Sequence, residues 1–360
     1  MPASRVLTFL AALPLAATPV YVLTDIGAPG TGSAGYAINA SGHVAGVWQD
    51  ASGAYLAFAA SPATGALILP AGSVESRASG INYSGAVAGT TQWLSGARAT
   101  VWNGADVMIM GTFGGADSYA TAINDAGQVT GNAADQTGRA RAFVYTCGAM
   151  QDLGVLSGGS WSAGYSINGA GQIAGTGDVA AGRFRAFRGS VSGLAPLGTL
   201  GGLSSYGMAI NNAGMIAGHS QVASGYTHAF LHNGSSMIDL GTLGGGNSYA
   251  FGLNSAADAV GYSLLAGNLT THAFMYRNGV MFDLNSLLES PAGWELIEAY
   301  GINDEGQITG AGMFEGHMRA FRLDPQPNVS VESAVPEPST HVLAGAILAG
   351  LALAKARKRS

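Results

Sequence analysis

The sequence predicts an all-β protein, a seven-bladed β-propeller of four-stranded repeats of about 43 residues, with a strand near the N-terminus completing the last blade. Three observations support this fold. The motif Ile-Asn-x-x-Gly-x-(Val/Ile)-x-Gly recurs seven times at spacings of 42 to 49 residues. Turn signals separate short apolar segments within each repeat. The last repeat lacks a fourth strand, whereas residues 21–27 supply an unpaired one.

Each copy of the motif begins at an aliphatic residue. These residues are Ile38, Ile81, Ile123, Ile167, Ile210, Leu253 and Ile302. Asn followed three residues later by Gly is typical of a type I turn that ends in a left-handed residue. The sixth copy has Ala257 in place of Gly, so we expect either strain of roughly 1 to 2 kcal/mol or a different loop there.

The strand before each Ile-Asn has the most informative pattern. Small residues occupy the positions one and three before the Ile in all copies, and aromatic residues are frequent two and four before it. Because side chains alternate along a strand, one face is small and the other bulky. Blades crowd most tightly around the axis, so we expect this strand to be innermost. An open β-solenoid with capped ends is the alternative.

Two further blocks complete the repeat. (Arg/His)-Ala-Phe begins at residues 141, 185, 228, 272 and 319, and Asp-Leu-(Gly/Asn) begins at 152, 239 and 283, with Asp25-Ile26-Gly27 as an N-terminal counterpart. Asn-Gly pairs at residues 103, 233 and 278 predict two-residue hairpins. We interpret His228 and His272 as structural, since arginines hold that position in other copies.

These blocks resemble the HAF family of extracellular repeat proteins, whose name echoes the His-Ala-Phe at His228 and His272. The resemblance covers about 300 residues of the chain. It implies an extracellular repeat protein and brings no defined activity with it.

Both ends of the chain carry export signals. Residues 1–17 combine Arg5, an apolar run and a small-residue end, which is typical of a Sec-type signal peptide ahead of the propeller at 18–323. A linker over 324–334 leads to a C-terminal segment, 335–360. That segment comprises Val335, Pro336, Glu337, Pro338 and Ser339, an apolar run over 342–354, and the basic residues Lys355, Arg357, Lys358 and Arg359. The basic residues favour the cytoplasmic side of the membrane, so we expect the apolar run to insert transiently in the inner membrane as a short helix.

Pro-Glu-Pro, a short apolar helix and a basic tail resemble the PEP-CTERM sorting signal. The resemblance implies that an exosortase recognises residues 336–338 and removes the segment C-terminal to them, after export by the Sec machinery. A tail anchor that stays attached is the alternative.

The composition limits the partners. Five of the 15 basic residues lie in the two end segments, so the remaining domain is more acidic than the full chain, whose formal charge is −6. Because affinity for phosphate rests on Lys and Arg, we expect no nucleic-acid partner. Cys147 is the single cysteine, which excludes an intramolecular disulfide, and we place it in a hairpin turn.

The sequence contains no motif for a catalytic site, a cofactor or a metal ion. The acidic turns at Asp125 and Asp304 lack the regularly spaced oxygen ligands of a calcium-binding loop. A Ser five residues before six of the Ile residues either meets a ligand at the channel mouth or caps a backbone group, and we favour the second. The candidate ligand contacts are the tryptophans between the repeated blocks: Trp48, Trp93, Trp161 and Trp294.

Together these features predict an exported cell-surface or extracellular-matrix protein. We expect a non-enzymatic binding or structural role associated with exopolysaccharide or biofilm. The alternative is a polysaccharide-active hydrolase or lyase, which needs two carboxylates converging on one propeller face. The candidates for that pair are Asp117, Asp178, Glu295 and Glu298.

Overall fold

The computed structural model describes residues 20–27, 32–60, 64–66, 72–180 and 182–326. These residues form seven four-stranded antiparallel sheets, the blades of a β-propeller. We number the strands β1 to β28 in chain order, and the blades 1 to 7 from the sheet that begins with β2. The predicted fold class is therefore confirmed.

The first strand of each blade neighbours the first strands of adjacent blades and lies innermost, as predicted. These strands are β2 (Gly32–Ile38), β6 (Glu75–Ile81), β10 (Gly114–Ile123), β14 (Ser162–Ile167), β18 (Gly201–Ile210), β22 (Gly244–Leu253) and β26 (Trp294–Ile302). The second strands are β3 (Val44–Gln49), β7 (Val87–Trp93), β11 (Val129–Asp135), β15 (Ile173–Ala180), β19 (Ile216–Val222), β23 (Ala259–Leu265) and β27 (Ile308–Phe314).

The outer half of each blade carries the (Arg/His)-Ala-Phe and Asp-Leu-Gly blocks. The third strands are β4 (Tyr55–Ala60), β8 (Gly96–Asn103), β12 (Ala140–Thr146), β16 (Arg183–Ser190), β20 (Thr227–His232), β24 (Thr271–Arg277) and β28 (His317–Pro325). The outermost strands are β5 (Thr64–Ala66), β9 (Asp106–Ile109), β13 (Ala149–Asp152), β17 (Gly193–Pro196), β21 (Met237–Asp239), β25 (Val280–Asp283) and β1 (Tyr21–Asp25). A 3₁₀ helix, Leu284–Leu287, follows β25.

The N-terminal strand closes the ring. β1 pairs antiparallel with β28, from Tyr21 opposite Pro325 to Asp25 opposite Phe321. Tyr21 is fully buried among residues of blades 6 and 7, and its hydroxyl donates to the sulfur of Met275 at 3.3 Å. This confirms the predicted closure, although β28 extends two residues past the expected boundary at 323.

The small face of the innermost strand allows the blades to approach closely. A Cβ added to Gly80 would lie 2.9 Å from the backbone of Ala122 in the next blade. Strict alternation along this strand was a wrong expectation, because a β-bulge interrupts it in every blade. In blade 3, Ala120 pairs with Gly131 and Ala122 with Thr130, which leaves Thr121 unpaired. The bulge residues line the central channel.

The Phe of the (Arg/His)-Ala-Phe block fills the core of the blades. Phe143, Phe187 and Phe274 are fully buried, like their counterparts in the other blades that have this residue. Blade 2 has Thr100 at that position, and the buried Trp102 contributes to the core there instead. The core therefore consists of one large aromatic side chain per blade, packed against alanines and larger aliphatic side chains.

The turns follow the predicted chemistry at the motif and depart from it elsewhere. The Gly of each Ile-Asn turn has a positive φ, such as +75° at Gly127, and Ala257 adopts the same conformation at +66°. Of the two expectations for the turn at Ala257, a strained turn or a different loop, the strained turn is the one that occurs. Of the three Asn-Gly pairs, Asn278-Gly279 forms a two-residue hairpin, whereas the loops at Asn103 and Asn233 are shifted or longer. Cys147 lies exposed in a hairpin turn, as expected.

Several predictions concern residues that the structure does not describe. The signal peptide at 1–17, the sorting residues 335–339, the apolar run at 342–354 and the basic residues from 355 to 359 all lie outside the described ranges. Within those ranges, no helix has the length and apolar character needed to cross a membrane.

Candidate functional site

The motif asparagines join the seven blades into a closed ring at one end of the channel, which we call the Asn face. The side-chain amide of each Asn donates to the backbone carbonyl of the Asn in the next blade, at 2.9 to 3.3 Å. The last bond runs from Asn303 back to Asn39. In Asn168, the side-chain oxygen also accepts from the backbone N–H of Gln172 in its own turn. These residues therefore stabilise both the turns and the ring.

The recurring serines also connect blades. The backbone N–H of the Ala in (Arg/His)-Ala-Phe donates to a Ser Oγ of the next blade at 2.8 to 3.0 Å. In three blades that Ser donates in turn to a loop carbonyl, as Ser162 does to Gly154 at 2.6 Å. All six serines are buried, so the backbone-capping interpretation is the one that the geometry supports.

In four blades, the Arg or His of the (Arg/His)-Ala-Phe block pairs with an Asp of the fourth strand. Arg141 contacts Asp152 at 3.1 Å, and His228 contacts Asp239 at 2.8 Å. The other pairs are His272 with Asp283 and Arg319 with Asp25. In blades 2 and 4, Ile109 and Pro196 occupy the position of that Asp, and Arg98 and Arg185 donate to carbonyls of the following blade. The repeated polar residues therefore have structural roles.

The opposite end of the channel, which we call the aromatic face, carries side chains that differ between blades. A continuous series of nine rings crosses blades 4, 5, 6, 7 and 1, with neighbouring centroids 4.8 to 5.7 Å apart. In order they are Trp161, Phe184, Tyr206, His219, Tyr249, Tyr262, Phe251, Tyr300 and Tyr36. All nine are partly exposed, so this aromatic series belongs to the surface and not to the core.

A cleft of about 440 Å³ opens along the first half of the aromatic series. Its walls include Phe184, Tyr206, Tyr249, Gln221 and Thr227. His219 stacks on Tyr206, and burial lowers the pKa of its imidazole to about 4, so it is neutral near pH 7. Its Nδ1 has no hydrogen-bond partner among the described residues. The cleft thus combines aromatic rings with neutral polar groups, and none of the described residues in its walls is charged.

The aromatic series ends at the channel, where one carboxylate joins it. The hydroxyl of Tyr300 donates to Glu298, and burial together with that carboxylate raises the pKa of Tyr300 far above its usual range. Burial also raises the pKa of Tyr262 to about 12. These tyrosines are therefore neutral hydrogen-bonding groups at any physiological pH.

The four candidate tryptophans lie toward the aromatic face in four blades. Trp48 and Trp93 are near or at the C-terminal ends of second strands, and Trp161 and Trp294 are at or just before the starts of first strands. Trp161 belongs to the aromatic series. Trp48 packs on the core near Phe58, and Trp294 is buried and stacked on Phe314 at 5.1 Å. The structure thus places Trp161 beside the cleft, and it gives Trp48 and Trp294 packing contacts.

The four candidate carboxylates are distributed over blades 3, 4 and 7, and each contacts protein groups. Asp117 accepts from the backbone N–H of Ala97 at 2.8 Å, across a blade boundary. Asp178 accepts from Ser160 and Trp161, and these hydrogen bonds lower its pKa despite partial burial. Glu295 lies 3.4 Å from His272. Similarly, Asp125 and Asp304 accept backbone N–H groups of the preceding blade.

The comparisons with known proteins concern the fold. No family model matches the sequence, and no curated protein matches it. Among solved structures, the β-propeller of the Trilobed protease from Pyrococcus furiosus is 9% identical, with a TM-score of 0.48, covering 69% of this chain and 80% of that one. A gluconolactonase from Xanthomonas campestris is 9% identical, with a TM-score of 0.41, covering 86% and 95%.

TolB from Acinetobacter baumannii is 12% identical, with a TM-score of 0.42, covering 56% of this chain. This chain spans about half the length of that TolB structure (52%) and less than half of an acylaminoacyl peptidase from Pyrococcus horikoshii (45%). At such identities and TM-scores, no activity is carried over to this chain.

Proposed function

We propose that this protein is exported and binds polysaccharide through its aromatic face, without catalysing a reaction. The observation that supports the proposal is the cleft of blades 4 to 6, whose walls hold partly exposed aromatic rings and neutral polar groups. A sugar ring presents an apolar C–H face and a rim of hydroxyls. Aromatic rings complement the first, and Gln221, Thr227 and the tyrosine hydroxyls complement the second.

Export is the second part of the proposal. It rests on the signal peptide at 1–17 and on the resemblance of residues 335–360 to a PEP-CTERM signal. The described chain leaves the propeller at Pro325, beside the Asn303–Gly306 turn of the Asn face. The attachment point of the C-terminal segment therefore lies on the face opposite the cleft.

Affinity electrophoresis through gels that contain the producing organism's purified exopolysaccharide tests the binding. We expect the unmodified full chain to be retarded and the Tyr206→Ala and Tyr249→Ala variants to migrate freely. Tyr83→Ala is the matched control, because Tyr83 is 66% exposed on the Asn face. No retardation of the unmodified protein, or equal retardation of all variants, would contradict the proposal. Release of soluble sugar from the gel would favour the hydrolase alternative.

The export proposal has a separate test. Cell fractionation followed by mass spectrometry of the mature chain should find an N-terminus near residue 18 and a C-terminus near residues 336–338. An intact C-terminus in the membrane fraction would favour the uncleaved tail anchor instead.

A further inference from the structure

A second cleft, between blades 2 and 3, differs chemically from the first. It has a volume of about 360 Å³ and includes charged as well as neutral side chains. Its polar residues include Glu75, Arg77, Thr90, Gln92 and Asn132, and the ring of Tyr119 forms part of its wall. Tyr119 is 40% exposed, which leaves part of its ring available to a ligand. This cleft offers one aromatic surface, two amides and one guanidinium.

Arg77 differs from most arginines of the propeller in lacking an acceptor. The ten basic residues between the two end segments are all arginines. Four of them pair with carboxylates, and three donate to backbone carbonyls. Arg77 is exposed, and its guanidinium has no hydrogen bond or ion pair with another residue of the described ranges. Arg139 and Arg183 share that property, but both lie beside hairpin turns and outside the cleft.

The guanidinium of Arg77 is nonetheless oriented. Its central carbon lies 4.3 Å from the centre of the Tyr55 ring in blade 1. A cation–π contact of this kind holds the guanidinium while its edge N–H groups remain unused. Two parallel N–H groups of a guanidinium match the two oxygens of a carboxylate. Because this guanidinium is already oriented, it loses little entropy when it forms both hydrogen bonds.

We propose that this second cleft binds the carboxylate of an acidic sugar, such as a uronic acid residue within a largely neutral polysaccharide. Arg77 donates to the carboxylate, and Tyr119 and the neighbouring amides contact the sugar ring. This inference rests on the proposed function and names a second subsite of the aromatic face. Glu75 in the same cleft and the acidic surplus of the domain oppose further negative charge, so the site favours an isolated carboxylate over a polyanion.

Calorimetric titration of the purified full chain with methyl glucuronide and with its carboxyl methyl ester tests the inference, because the two ligands differ in charge and scarcely in shape. We expect the acid to bind at least about tenfold more tightly than the ester, since hydrogen bonds to charged groups are the strong ones. The Arg77→Gln variant should bind both equally. The Glu75→Gln variant should bind the acid more tightly than the unmodified protein does.

Tyr206→Ala separates this inference from the proposed function. That variant should lose retention on the neutral polymer and keep the difference between acid and ester. Equal affinities of the unmodified protein for the two ligands, no binding of either, or an unchanged difference in Arg77→Gln would each overturn the acidic subsite. Retention through Tyr206 and Tyr249 would remain intact in those cases.

Discussion

The Asn face and the aromatic face use the same seven strands in opposite ways. On the Asn face one residue type recurs in every blade, and its hydrogen bonds close a ring. On the aromatic face the position four residues before the Ile or Leu varies between blades and holds Arg77, Glu298, a Tyr or an Ala. Residues that are repeated in every blade therefore hold the propeller together, and residues that vary between blades form the surface that we propose binds a ligand.

The first prediction tests how much the stability of the propeller depends on closure of the ring by β1. Tyr21→Ala should lower the free energy of unfolding by about 4 kcal/mol, because it leaves a cavity where a fully buried ring joins β1 to blades 6 and 7. Urea titrations give this value from the shift in midpoint. Thr24→Ala, at an exposed site in the same strand, should change stability little. Equal midpoints for the two variants would mean that β1 does not lock the ring.

The second prediction concerns His219 on the aromatic face. Its folded pKa of about 4 lies below the unfolded value of 6.5, so the unfolded chain takes up a proton first as the pH falls. The stability associated with neutral His219 is therefore present above pH 6.5 and decreases to a minimum near pH 4, by about 3 kcal/mol.

His219→Tyr should remove this component of the acid sensitivity, because Tyr262 occupies the equivalent position of blade 6. Unfolding free energies at pH 7 and pH 4.5 provide the measurement. His317→Gln, at an exposed position at the start of β28, should behave like the unmodified protein. The same pH dependence in His219→Tyr as in the unmodified protein would show that this imidazole stays solvated.

The third prediction compares two asparagines at the Asn face. Asn168→Ala should cost about 2 kcal/mol, because the buried Asn168 bonds both its own turn and the next blade. Asn212→Ala should cost less than half as much, since Asn212 is exposed and accepts one bond, from Gly169. Thermal unfolding of the two variants distinguishes them, and a larger loss for Asn212→Ala would refute the importance of the ring.

The smallest expected effect is at the one imperfect turn of the Asn face. Ala257→Gly should stabilise the protein by about 1 kcal/mol, because Gly adopts the φ of +66° without a Cβ clash. Gly214→Ala makes the reverse change in the preceding blade and should destabilise by a similar amount. Chemical denaturation measures both, and a loss of stability in Ala257→Gly would indicate that the turn is not strained.

Sequence reasoning predicted the blade number, the innermost strand and the closure, because glycine-punctuated repeats and small residues report directly on backbone geometry. It did not predict the bulge at positions such as Thr121, since an unpaired residue leaves no periodic signal. The pairing of Arg141 with Asp152 was also missed, although each of the four blades with an Asp at this position of the fourth strand has an Arg or His in its (Arg/His)-Ala-Phe block. That co-occurrence of the two residues within a blade was the available signal.

The candidate site was only partly predictable. The tryptophans stand out because they are not repeated, and Trp161 does lie beside the cleft. The more informative residues are Tyr206 and Tyr249, which the alternation pattern identifies solely as the bulky side of an inner strand. Their contact with His219 depends on how adjacent blades converge, and a linear sequence does not reveal such neighbours.

The pairing of Tyr21 with Pro325 has a consequence for folding kinetics. It joins the first and last described strands across about 300 residues, a contact of very high sequence separation. Blades 1 to 6 are each built from contiguous sequence and can form as local units during synthesis. Blade 7 is different, because it combines β1 with β26, β27 and β28 and cannot be completed until β28 has been synthesised. We therefore expect cooperative unfolding of the whole propeller, and full resistance to proteases, only after Pro325 has left the ribosome and paired with Tyr21.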